Sequence, residues 1–188
     1  MIKTIISNNC FGGCISNDYH MEFCSPTINL QILPEEYPKF CKNLTYYMKV
    51  ELMECKAMSM RHEKMCEHMF GYVPTEYPMG LLDDILVVFQ HYKTFEESKE
   101  CWDKRKARVD FDNIGYFMHA KNETYADCVK EFLALNLPHS EAVTEGFDVE
   151  GAHRFDTPPG LDCFYFVGGK RVIEQNFSIR KWLEGESQ

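Results

Sequence analysis

The run Ile2-Lys3-Thr4-Ile5-Ile6 breaks off into Ser7-Asn8-Asn9-Cys10-Phe11-Gly12-Gly13, and no other junction constrains the fold as strongly. A short β-branched run of this kind suits a strand covered on both faces. Asparagine and glycine tolerate the backbone angles that end such a strand in a tight turn. A strand buried on both sides calls for layers of structure above and below its sheet.

The rest of the chain alternates strand and helix signals. Ile28-Asn29-Leu30-Gln31-Ile32 alternates like a half-buried strand. Pro34-Glu35-Glu36 suits the first turn of a helix over about 35–49, with Tyr37, Phe40, Leu44 and Tyr47 on one face. Ile85-Leu86-Val87-Val88-Phe89 is a near-continuous apolar run, expected of a central strand. Thr94-Phe95-Glu96-Glu97 reads as a capping box opening a helix to about Val109. Strands are expected at 114–118, 140–144 and 163–167, and helices at 123–135 and 177–183; residues 50–73, rich in Met, Cys, His and charge, give no clear period. This order predicts an α/β fold, a three-layer α/β/α arrangement whose central sheet is mostly parallel or mixed, in the Rossmann-like manner. With 188 residues, no repeat and no low-complexity linker, one domain over 1–188 is expected.

Composition narrows the partners. The formal charge of −9, from 29 acidic and 20 basic residues, disfavours nucleic acid, whose binding rests on neutralising phosphates. The nine cysteines are odd in number and follow no signal peptide, so free thiols in a reducing cytoplasm are expected. The most apolar stretch, residues 81–89, is split by Asp83-Asp84 and falls short of the ~20 residues of a membrane span.

In open α/β sheets, ligands sit beyond the carboxyl ends of strands. Two strand exits carry suitable groups: Asn8, Asn9, Cys10, Gly12 and Gly13 after the first, Gln90, His91 and Tyr92 after the central one. The glycines allow close approach of backbone to a ligand, and a helix beginning there would favour an anion. The same residues also describe a plain tight turn. Cys10 is a candidate nucleophile with His91 as its base, although a buried, inert thiol is the commoner fate of cysteine. Cys10 and Cys14 lack a second pair with zinc spacing, so no metal ligands are assigned. Asp83-Asp84 offers paired carboxylates for an optional Mg²⁺ or Mn²⁺, or simply a turn. Trp102 and Arg105 share a helix face, and Arg105 with Arg108 could clamp a phosphate.

Several of these residues carry a resemblance. The stretch Ile5 to Gly13, then Ser25-Pro26-Thr27-Ile28, Tyr77-Pro78-Met79-Gly80 with Asp83-Asp84-Ile85, Phe89-Gln90-His91-Tyr92 and Trp102-Asp103-Lys104-Arg105-Lys106-Ala107-Arg108-Val109-Asp110-Phe111-Asp112-Asn113 resemble the DUF1919 family of bacterial proteins. Phe11 stands where that family usually carries Trp, the pattern fades after Leu135, and residues 147–159 look like an insertion or a divergent segment. The resemblance implies a three-layer α/β fold and a setting in exopolysaccharide or capsule assembly on the cytoplasmic side; it carries no catalytic residues.

Three functions follow as expectations. The first is a transferase-like enzyme for a nucleotide-sugar or sugar-phosphate, with Asn8, Asn9, Gly12 and Gly13 at the ligand, His91 as base, Tyr92 and Trp102 beside it, and Arg105 and Arg108 at the phosphates. The second is a non-catalytic sensor or scaffold in peripheral contact with membrane assembly machinery, docking through residues 53–69. The third is an acyl transferase or hydrolase using Cys10 and His91.

Overall fold

The computed structural model of the protein describes residues 1–186. Four parallel strands form the first sheet: β1 (Thr4–Ser7), β6 (Ile114–Ala120), β7 (Ser140–Glu145) and β8 (His153–Phe155), in the order β1-β6-β7-β8. The strands obey their period of two. Ile5, Phe117 and Val143 point into one apolar cluster with Phe11, Ile15, Ile179 and Trp182, from α1 (Phe11–Asp18) and α7 (Ile179–Glu184). Ile6, Tyr116, Met118 and Ala142 point into the other, with Tyr37 and Phe40 of α2 (Tyr37–Lys42) and Val129 and Phe132 of α6 (Ala126–Ala134). Helices on both faces give the three layers that the strand–helix alternation implied.

The strongest strand lies elsewhere. β5 (Ile85–Val88) is central in a second, antiparallel sheet ordered β2-β5-β4-β3, with β2 (Gln31–Ile32), β3 (Met53–Glu54) and β4 (Met79–Leu82). Leu82 pairs with Ile85, so Asp83-Asp84 is a two-residue hairpin turn, with Asp83 at φ +57°. A hairpin forces its strands antiparallel. The run is apolar throughout because both faces are covered: Ile85, Val87 and Phe89 meet the main core, while Leu86 and Val88 meet Met65 and Cys66 of α4 (Met60–Phe70). The Ile32 amide donates to the Asn8 carbonyl at 2.9 Å, joining this sheet to the end of β1.

Other differences are local. The expected strand over 28–32 shrinks to β2 because Asn29 takes φ +64°. The helix over 35–49 breaks at Asn43 into α2 and α3 (Leu44–Tyr47). α5 (Phe95–Lys106) begins at Thr94, whose hydroxyl accepts from the Glu97 amide at 3.2 Å; Glu97 reaches the Lys93 amide rather than that of Thr94. Residues 147–159 contain β8. The return from β7 to β8 is short for a parallel pair, and it turns on Gly146 and Gly151, at φ +79° and +83°. Of the strand expected at 163–167, β9 (Phe166–Val167) remains, paired with β10 (Lys170–Arg171).

Candidate functional site

The carboxyl end of β1 forms the floor of the site. Asn8 is buried, and its side-chain amide pairs with both backbone groups of His119: Nδ2 donates to the carbonyl at 3.0 Å, and Oδ1 accepts from the amide at 2.9 Å. Ser7 Oγ donates to the Asn9 carbonyl at 2.7 Å and accepts from the Gly12 amide at 3.0 Å. Asn9 Oδ1 accepts from the Phe11 amide at 3.0 Å. These bonds consume amides at the start of α1 that an anion would need. Gly12 and Gly13 are buried as well. A Cβ on Gly12 would stand 3.1 Å from the Ile5 carbonyl oxygen, and one on Gly13 2.8 Å from Ile28 Cγ2. The glycines let α1 pack closely on its neighbours. Phe11, fully buried, stacks on Phe117 with ring centroids 3.6 Å apart.

Because Asn9 spends its oxygen on Phe11, its Nδ2 faces Nδ1 of His119 at 3.0 Å. Nδ1 therefore accepts, and the neutral ring carries its proton on Nε2. Glu145 Oε2 lies 3.6 Å from Nε2, slightly beyond a direct hydrogen bond, and Nε2 has no hydrogen-bond partner among the described residues. Burial lowers the His119 pKa from 6.5, which keeps the ring neutral near pH 7. The adjacent imidazole, and then the Thr157 hydroxyl that donates to Oε1, hold the Glu145 carboxyl below its ordinary range. Glu145 is partly exposed, whereas His119 is 3% exposed. The arrangement is an ionised carboxylate at the surface backed by a buried, fixed imidazole.

Cys163 reaches the same place from the C-terminal segment. Residues 156–177 fold back over β8, tied by the Gln175 amide to the Asp156 carbonyl at 2.7 Å and by Asn176 to the Arg154 carbonyl at 2.7 Å. Arg171, nearly buried, donates to Asp18 at 2.6 Å and to the Phe164 carbonyl, which anchors this segment to α1. Cys163 Sγ, His119 and Glu145 offer atoms within 4.8 Å of one another. Burial and then Asp162 push the Cys163 thiol well up, while Lys121 opposes them. Phe155 and Phe164 wall the imidazole, with centroids 5.6 and 6.4 Å away.

Cys10 caps α1, half-buried, with Sγ 4.0 Å from the Leu30 carbonyl; burial raises its pKa to about 11, so it is a thiol at neutral pH. His91 is exposed in the loop after β5, on the antiparallel sheet. The pairing of Cys10 with His91 assumed that both strands belonged to one parallel sheet, and they do not. Arg105 is spent inside the chain, donating to the Tyr92 hydroxyl at 2.6 Å and the Ile28 carbonyl at 3.4 Å. Arg108 faces Glu22 at 3.5 Å on the surface. Trp102 is a core residue of α5, 1% exposed. Asp83 and Asp84 are engaged by the Tyr46 and Tyr47 hydroxyls at 2.9 and 3.0 Å, and Asp84 also by Lys39.

Applied to the strands of the parallel sheet, the rule that ligands lie past strand ends points to this cluster. His119 is the penultimate residue of β6 and Glu145 the last of β7, and both directly follow the strands expected at 114–118 and 140–144. Cys163 left no such signal, because its position depends on the fold of the tail. The model of the family described as a domain of unknown function (DUF1919) matches residues 2–144. The chain is also 32% identical over 192 residues to an uncharacterized protein of Haemophilus influenzae, covering 96% of this chain and 83% of that protein. The chain belongs to the DUF1919 family. No helix among the described residues is long and apolar enough to cross a membrane.

Proposed function

We propose that this DUF1919 protein is an enzyme that transfers or modifies a phosphorylated sugar in polysaccharide assembly, with its reaction centre at the carboxyl edge of the parallel sheet. The observation that carries the reading is the Glu145 carboxylate, held by the Thr157 hydroxyl beside the His119 ring at a strand exit and partly open to solvent. A carboxylate held in one orientation can accept a proton from a sugar hydroxyl and oppose positive charge developing at a sugar carbon. The neutral His119, with its own proton on the nitrogen facing Glu145, does not compete for the proton. Lys121, exposed beside the cluster, supplies positive charge for a phosphate. The sugar setting, cytoplasmic and beside membrane assembly machinery, is what the family resemblance implies and belongs to the same proposal.

The test is thermal unfolding of the purified chain with a panel of nucleotide-sugars and sugar-1-phosphates, with and without Mg²⁺ or Mn²⁺. A ligand at about 100 times its Kd adds about 2.7 kcal/mol, a shift of several degrees. Lys121→Ala should weaken that shift. If no phosphorylated sugar moves the transition, the proposed substrate class is wrong.

A further inference from the structure

The geometry points to a divalent transition-metal site, best matched by zinc, formed by His119 Nε2, Glu145 Oε2 and Cys163 Sγ. The three donor atoms lie within 4.8 Å of one another, and Nε2 and Oε2 are 3.6 Å apart. Around a tetrahedral ion with bonds of ~2.0–2.3 Å, donors stand roughly 3.3–3.7 Å from each other. Closure therefore asks for side-chain movement of about an ångström. The one buried nitrogen of the cluster without a hydrogen-bond partner among the described residues, His119 Nε2, is aimed into it. Imidazole, thiolate and carboxylate together suit zinc, whereas magnesium takes oxygen ligands. Three protein ligands leave a fourth position for water or substrate. Glu145 would bind through Oε2, leaving Oε1, to which Thr157 now donates, as the proton acceptor of the proposed reaction.

Proton accounting identifies what controls the site. Cys163 must release its proton to solvent. The His119 proton must move from Nε2 to Nδ1, where Asn9 now presents an N–H. Asn9 must then turn its oxygen to the ring and give up the Phe11 amide. Asn9 is thus a brake on metal binding, and a carboxylate in its place would serve both the ring and the amide. This inference rests on the location of the reaction centre given above and not on its sugar substrate.

The experiment is titration of the metal-free, full-length chain with Co²⁺, followed by its visible bands and its thiolate-to-cobalt charge-transfer band, then displacement by Zn²⁺. One saturable site per chain is expected. Cys163→Ser should abolish the charge-transfer band, Glu145→Gln should weaken binding roughly tenfold or more, and Asn9→Asp should tighten it by a similar factor. The absence of a stoichiometric band in both wild type and Asn9→Asp overturns the site, as does a band unchanged in Cys163→Ser. Should Cys163→Ser fail to fold, Glu145→Gln decides, and unchanged cobalt affinity there refutes the assignment. Sugar binding is measured separately by thermal shift, so either proposal can fail alone.

Discussion

Asn9 donates its side-chain amide to Nδ1 of His119 at 3.0 Å, and this one contact fixes the imidazole proton on the side facing Glu145. The tautomer follows from backbone geometry, since the Phe11 amide holds the Asn9 oxygen away from the ring. A buried histidine has here been oriented by a neighbour whose own orientation is set by the start of a helix.

A pH dependence follows. The folded chain keeps His119 neutral below its ordinary value of 6.5, whereas the unfolded chain protonates it near 6.5. Its contribution to stability is complete above that pH and is lost as the pH falls through the lowered folded value. The slope from this one proton is at most about 1.4 kcal/mol per pH unit. Urea unfolding from about pH 7.5 to about pH 5.5 should show the decline, and His119→Gln should flatten it. Parallel curves for the two proteins would contradict the neutral imidazole.

Asn8 is expected to matter for folding rather than for chemistry. Asn8→Ala orphans both backbone groups of His119. The cost should be about 1–3 kcal/mol for each group left unpaired. Denaturant midpoints read this directly. A loss under about 0.5 kcal/mol would mean that water replaces the amide.

Gly13→Ala should destabilise by about 1–3 kcal/mol, although alanine favours helix by about 1 kcal/mol. The new methyl meets Ile28 Cγ2 at 2.8 Å, on a side chain branched too close to the backbone to swing away. Gly71→Ala is the contrasting control: nothing lies within 4 Å of its Cβ, and its φ of +79° is the cause of any loss there. If Gly13→Ala is as stable as the wild type, the close packing of α1 is not what requires glycine.

How far these features were legible depended on whether a signal was local. The buried first strand and its polar turn were readable because β-branched residues and asparagines act over a few positions. The sheet to which residues 85–89 belong was not. Apolarity on both faces is shared by parallel strands and by any strand between two cores, and only the Asp83-Asp84 turn distinguished them. Of the two readings of that pair, metal ligands or a turn, the hairpin realises the turn. Arg105 and Arg108 read as a phosphate clamp because the sequence does not show that Tyr92 and Ile28 already occupy Arg105, or that Glu22 faces Arg108. Asn8 and Asn9 are readable as the end of the first strand, but their partner is His119, far away in sequence.

The sharpest functional contrast is between two residues. His91→Ala should change stability by no more than about 0.5 kcal/mol, as for other exposed positions. It should also leave sugar binding and turnover intact. Glu145→Gln should keep the fold and lower turnover by about 10²-fold or more, the range of a lost proton acceptor. Circular dichroism and a transfer assay on both variants check this. Loss of turnover in His91→Ala with Glu145→Gln active would reverse the assignment.

The family match ends at Thr144, one residue before Glu145 and well before Cys163. The likeness to the Haemophilus influenzae protein nevertheless runs through 96% of the chain, so what the two share is not confined to the sheet. His119 is held from the first strand by Asn8 and Asn9, whereas Glu145 is held by Thr157, and Cys163 is carried by a segment that Arg171 pins to Asp18. A change confined to that segment would reshape this corner of the molecule while the sheet beneath it stayed intact.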